Sequence, residues 1–235
     1  MNESETILEG YSAQEKSAYL GAIASLATAD RAASQEEVDH ITALAQAAEL
    51  SEDQQQEIIN AATGISGAEL KQFLDVLQNS KLKFSLIADI ITFAKVDNRY
   101  TEDEKRSIKQ IATYLHVDEN QFSLLDQFVD KATQHPTAAE EVRKPGFLES
   151  LGLKNKFENA GINSGSFING LLGMLGPLVL GRILRGRGRS GSVMGQGRSP
   201  IPSGGGFGGL GSIFSMLNGS RSAGGIGSIL SRILR

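Results

Sequence analysis

Two stretches of sequence decide the fold: Ala27-Thr-Ala-Asp30-Arg-Ala-Ala-Ser34-Gln-Glu-Glu37 and Ala94-Lys-Val-Asp97-Asn-Arg-Tyr-Thr101-Glu-Asp-Glu104. Each closes one apolar helical pattern on an Asp, crosses a short linker, and opens the next pattern with a hydroxyl residue followed three positions later by Glu. That spacing is a capping box, in which the hydroxyl accepts from a backbone N–H and the Glu side chain accepts from the cap's own N–H. The two copies lie 67 residues apart, and the same offset lays Tyr19–Gln54 over Leu86–Gln121 without a gap. Ile23 then meets Ile90, Ala27 meets Ala94, Ile41 meets Ile108 and Ala45 meets Ala112. Matches on buried-type positions and on the turn point to a duplicated helix–turn–helix unit.

Working outward, the same start signal recurs at Ser12…Glu15, Ser51…Gln54, Ser66…Glu69 and, with Asp as cap, Asp118…Gln121. Each precedes apolar residues at helical spacing, such as Val38, Ile41, Leu44 and Ala45, or Phe122, Leu125, Phe128 and Val129. Seven helices are predicted, over 13–29, 35–48, 52–63, 67–79, 83–96, 102–115 and 119–133, with the fifth apolar enough to be central. No segment alternates as a strand does. The expected fold class is all-α, a seven-helix bundle on a duplicated unit, followed by a largely disordered Gly-rich tail with short helical islands.

Charge and glycine divide the chain at about residue 143. Up to Arg143 there are 25 acidic and 12 basic side chains, a net of −13; beyond it 11 basic residues face only Glu149 and Glu158, a net of +9. Only four of the 27 glycines precede Arg143. The expected organisation is a flexible N-terminus over 1–11, a helical domain over 12–133, a linker over 134–146, and a basic low-complexity tail over 147–235 with an apolar segment at 166–184.

The doubled turn, an Asp ending one helix and a hydroxyl cap with Glu opening the next, resembles the signature of the TerB-like family. The resemblance covers roughly Tyr11–Lys131. It implies a seven-helix all-α domain and a stress-response role tied to tellurite or other toxic oxyanions, exercised through a partner or a divalent ion. It also implies a cation, Ca²⁺ or another divalent ion, held by Asp30 and Glu37 in one copy and Asp97 and Glu104 in the other. The family often has Gly after the Asp, where this chain has Arg31 and Asn98, so the first copy is the less regular. The residues themselves leave a second reading open. Glu37 and Glu104 already serve as capping acids, acids in a first turn favour the helix dipole, and an Asp in a turn hydrogen-bonds locally. An EF-hand is excluded, because a loop starting at Asp97 puts Glu102 where Gly is needed and Ile108 where Glu is needed.

Other chemistry is thinly represented. The chain has no cysteine, which removes disulfides, thiolate metal sites and cysteine nucleophiles. His40, His116 and His135 sit in no metal-type spacing, and no Walker loop or nucleophile elbow is present. A non-enzymatic, cytoplasmic protein with a protein partner is expected, since the acidic N-terminus lacks the features of a signal peptide. In the tail, Arg182, Arg185, Arg187, Arg189 and Arg198 follow the uncharged run Phe167–Leu180, a pattern suited to an anionic membrane surface. Gly, Asn and Pro interrupt that run, so a spanning helix is not expected. Nucleic acid is the weaker alternative, because aromatic residues for base stacking lie far from the arginines.

Overall fold

The computed structural model describes residues 7–27, 33, 35–63, 68–95, 100–134, 142 and 146–172. Among them are ten helices and no strand: α1 Ala13–Ala27, α2 Gln35–Ala47, α3 Glu52–Thr63, α4 Ala68–Leu77, α5 Leu82–Lys95, α6 Glu102–Tyr114, α7 Glu119–Thr133, α8 Phe147–Ser150, α9 Lys154–Asn159 and α10 Ser164–Gly170. The all-α bundle expected from sequence is therefore present, with helix ends within about two residues of the predicted ones. The capping boxes form where they are described. Ser12 and Glu15 exchange bonds of 2.9 and 3.3 Å, Ser51 and Gln54 bonds of 3.2 and 3.4 Å, and both Thr101–Glu104 and Asp118–Gln121 close reciprocally. The boxes expected at Ser34 and Ser66 lie outside the described residues.

The duplication is physical. Shifted by 67 residues, α2 falls on α6 end for end, and α3 starts where α7 starts. Both second helices also terminate identically. Leu50 N–H donates to Ala45 O at 3.1 Å and Val117 N–H to Ala112 O at 2.8 Å, while the residue before each turns left-handed, Glu49 at φ 59° and His116 at φ 56°. This is the Schellman closure, with buried Leu50 and Val117 as its apolar plugs. Glycine ordinarily takes the left-handed position; here Glu and His do so in register.

Within each half, the first helix packs against the second and third, and the halves meet where α1 crosses α5. Helix α5 is buried along most of its length, through Leu82, Leu86, Ile87, Ala88, Ile90 and Ile91. Helix α4 lies along α1, close enough that a Cβ on Gly21 would overlap the ring of Phe73. Helix α10 covers α5 in the same way, and a Cβ on Gly170 would overlap Ser85.

That last packing corrects the expected domain boundary. Residues 147–172, read as the start of a low-complexity tail, belong to the core. Phe147, Phe157 and Phe167, one from each short helix, converge on Phe128 of α7 with centroid separations of 6.3, 6.1 and 4.9 Å in edge-on geometry. All four rings are buried, as are Leu148, Leu151, Leu153, Ile162, Leu171 and Leu172. Gly152 and Gly161, at φ 67° and 74°, turn the chain between the short helices. The N-terminal boundary moves too, because Ile7 and Leu8 are buried and Ile7 N–H donates to Ala47 O. The apolar segment expected at 166–184 begins inside the protein, so Phe167, Leu171 and Leu172 are spent on the core and unavailable to a membrane. Its remainder lies outside the described residues, and among the described helices none is long and apolar enough to cross a membrane.

Two stability measurements follow from this packing. Phe167→Ala is expected to cost about 3–5 kcal/mol in urea unfolding, the usual loss for a fully buried phenylalanine; a neutral result would return residues 147–172 to the tail. His116→Gly relieves the left-handed strain of an exposed side chain and is expected to stabilise by about 1 kcal/mol.

Candidate functional site

The second acidic turn joins α5 to α6, and its flanks carry a concentration of charge. Lys95 ends α5, and its ammonium lies 2.6 Å from Asp126 Oδ1 and 2.6 Å from Asp130 Oδ1. Those two carboxylates stand one helical turn apart on α7, so one ammonium can bridge them. The same Nζ sits 5.0 Å from the centroid of the Tyr100 ring, a cation–π contact. Lys105 adds a longer approach to Asp126 Oδ2 at 3.8 Å. Burial alone would lower the Lys95 pKa, but the bonds from its ammonium to Asp126 and Asp130 outweigh that and raise it. Tyr100 is held well above the ordinary phenol range, first by burial and then by the charges of Asp126, Asp130, Glu102 and Glu104. Its hydroxyl is buried without a hydrogen-bond partner among the described residues.

Of the residues that the sequence nominated for a cation, Glu104 is the one whose side chain is described. Its Oε2 accepts from both Thr101 N–H at 2.8 Å and Thr101 Oγ at 2.8 Å, so this carboxylate is engaged in the capping box. Asp30 and Asp97 lie outside the described residues, and of Glu37 only the backbone is described. Arg182, Arg185, Arg187, Arg189 and Arg198 also lie outside them. Among the described residues, no three acidic or histidine side chains converge as a metal site would require. The donor chemistry agrees at the flank of this turn: Asp126 Oδ1 and Asp130 Oδ1 already face an ammonium.

Sequence reasoning passed over Lys95, Tyr100, Asp126 and Asp130. The available signal was the spacing of Asp126 and Asp130 together with a lysine in the last turn of α5. The offset of 67 residues sharpens it. Lys95, Asp126 and Asp130 correspond to Thr28, Ile59 and Thr63 in the first half, so the charged cluster exists in one copy only. The two turns therefore share a sequence pattern and differ in the chemistry of their flanks.

A second polar node lies deeper. The Asp89 carboxylate, fully buried on α5, accepts at Oδ2 from the Tyr19 hydroxyl at 2.6 Å and from Leu172 N–H at 2.8 Å. Burial and the neighbouring Asp89 charge push Tyr19 far above its usual pKa, which keeps it a donor. Ser85 Oγ donates to Phe167 O at 2.8 Å on the same face of α5. This node holds the fold together and is closed to solvent.

Residues 16–127 match the family model described as Tellurite resistance protein TerB. No curated protein and no solved structure matches the chain.

Replacing the bridging lysine tests the cluster. Lys95→Met leaves Asp126 and Asp130 facing each other and is expected to cost about 1–2 kcal/mol at neutral pH, since the pair is only partly screened. Because the folded-state pKa of Lys95 is raised, its contribution is complete below the unfolded lysine range and fades as pH rises through the higher folded value. The gap between the two proteins should therefore close in strong alkali, and a gap independent of pH would assign the loss to packing.

Proposed function

Residues 16–127 form a TerB-family domain, and on that premise we propose that this chain is a non-catalytic stress-response protein of the tellurite-resistance kind. It acts by binding a protein partner through the charged second turn. The observation that carries this reading is the engagement of the carboxylates flanking that turn. Glu104 is taken by its cap, and Asp126 and Asp130 are bridged by Lys95. A divalent ion seated there would have to displace an ammonium and break a capping box, and it would need several oxygen ligands at once. An ion would otherwise depend on Asp97 and Asp30, outside the described residues.

A partner meets a different surface. At the start of α6, Glu102 and Asp103 are exposed, and the side chain of Asp103 is 87% accessible even with Arg106 bonded to it at 3.0 Å. Asp130 keeps 56% of its side chain open, and Glu119 lies 82% open beside Lys109. Such a rim steers a basic partner and sets its orientation more than it supplies affinity. The Lys95 bridge below keeps α5 and α7 in register, so the rim is presented on rigid helices.

The test pairs a cellular readout with a solution one. In tellurite-challenged bacteria that lack their own TerB-type protection, the wild-type chain should improve survival, and the double variant Glu102→Lys, Asp103→Lys should lose that gain while melting like the wild type. Calcium titration followed by amide NMR should leave Thr101 and Glu104 without saturable shifts. Protection by the double variant at the wild-type level would remove the acidic rim from the mechanism. Saturable shifts at these amides would restore the ion reading.

A further inference from the structure

Away from the acidic turn, three distant stretches of chain converge on an open polar cleft of about 380 Å³, at the low end of the size range for small-molecule sites. One wall is the segment entering α1, a second is the α4–α5 connection, and the third is α10. Two of these walls, Glu9–Glu15 and Ser166–Asn169, fall outside the residues that match TerB, so the cleft is built largely from what this chain adds to that domain.

The floor is closed by internal bonds. The Tyr11 hydroxyl donates to Ser166 O at 2.6 Å and joins α10 to the N-terminal segment. Burial pushes that hydroxyl up to about 12, so it remains protonated at neutral pH. Glu15 Oε1 accepts from Ser80 Oγ at 2.6 Å, and Oε2 accepts from Ser12 N–H and Oγ at 2.9 and 2.8 Å. Burial would raise the Glu15 pKa, but these bonds outweigh it and hold the carboxyl below its ordinary range, so it is charged at neutral pH. A carboxylate has room for about four hydrogen bonds, which leaves Glu15 able to accept one more.

The rim is different. Glu9, Asn79, Lys81 and Asn169 are exposed around the opening, and none of their side chains makes a hydrogen bond or ion pair among the described residues. A free ammonium, a free carboxylate and two free carboxamides therefore surround a floor that holds a second, ionised carboxylate. The charge pattern selects among ligands. Two carboxylates against one lysine repel an oxyanion, so tellurite does not suit this cleft despite the family. A simple amine would satisfy Glu9 and Glu15 but leave Lys81 opposed. A molecule with two cationic groups and one carboxylate matches all three charges, and the two asparagines can serve either sign.

We propose that this cleft binds a small dibasic zwitterion, a free basic amino acid such as L-arginine or L-lysine. Its two cationic groups face Glu9 and Glu15, and its carboxylate faces Lys81. The site is independent of the acidic turn, so either reading can fail without the other.

The test uses the full chain in amide NMR titrations with L-arginine and L-lysine, with agmatine, L-glutamate and tellurite as comparators. L-arginine or L-lysine should shift the amides of Gly10, Tyr11, Lys81 and Asn169 in a saturable way. Agmatine, which lacks the carboxylate, should bind about tenfold more weakly or worse than L-arginine. Lys81→Gln and Glu9→Gln, both at exposed positions, should each weaken binding about tenfold while the melting curve stays in place. The proposal is overturned by an absence of saturable shifts with both amino acids, by agmatine binding as well as L-arginine, or by tellurite producing the shifts instead.

Discussion

A single buried carboxylate ties together the parts of this fold that lie farthest apart in the chain. Asp89 sits on α5 with no exposure to solvent, and a charge so placed is tolerable only when donors surround it. Two of those donors come from opposite ends of the domain, the Tyr19 hydroxyl on α1 and the backbone N–H of Leu172 after α10. The first crosses the contact between the duplicated halves, and the second fastens the last described residue to the central helix. Losing either donor would leave the carboxylate under-satisfied in a low-dielectric interior. The position that Asp89 occupies corresponds by the 67-residue offset to Ala22, so the anchor was placed in one half only.

The apolar counterpart of that anchor is the ring of Phe128. Three short helices, none long enough to be stable alone in water, each contribute one phenylalanine to it. What α4 does for α1 in the first half, these helices do for α5 and α7 in the second. A duplicated unit whose central helix is buried along most of its length needs a cover on both sides, and the chain supplies two unrelated ones. The second cover reaches beyond the matched TerB residues, and together with Tyr11 it creates a cleft.

The two surfaces differ in character. The helices flanking the α5–α6 turn are electrostatically crowded and balanced by Lys95, and they present a charged edge. The cleft between α1, the α4–α5 connection and α10 is sparse, with rim side chains that have no partners among the described residues. Protein surfaces ordinarily satisfy or solvate such groups singly; their convergence on one concavity is what gives the cleft a chemical preference.

The sequence alone determined the local features. Capping boxes, helix extents and the doubled unit were legible because each depends on residues within a few positions of one another, and because the repeat offset lined up Ser51 with Asp118 and Ala45 with Ala112. The TerB resemblance was legible for the same reason, since its motif is a local turn. Only the tertiary structure decided where the domain ends, because Phe147, Phe157 and Phe167 are too widely spaced to show a helical period and act only by meeting Phe128. It also decided that Lys95 bridges Asp126 and Asp130, and that Glu9, Lys81 and Asn169 share one cleft. Those relations join residues tens to more than a hundred positions apart, and no spacing rule along the chain encodes a contact of that kind.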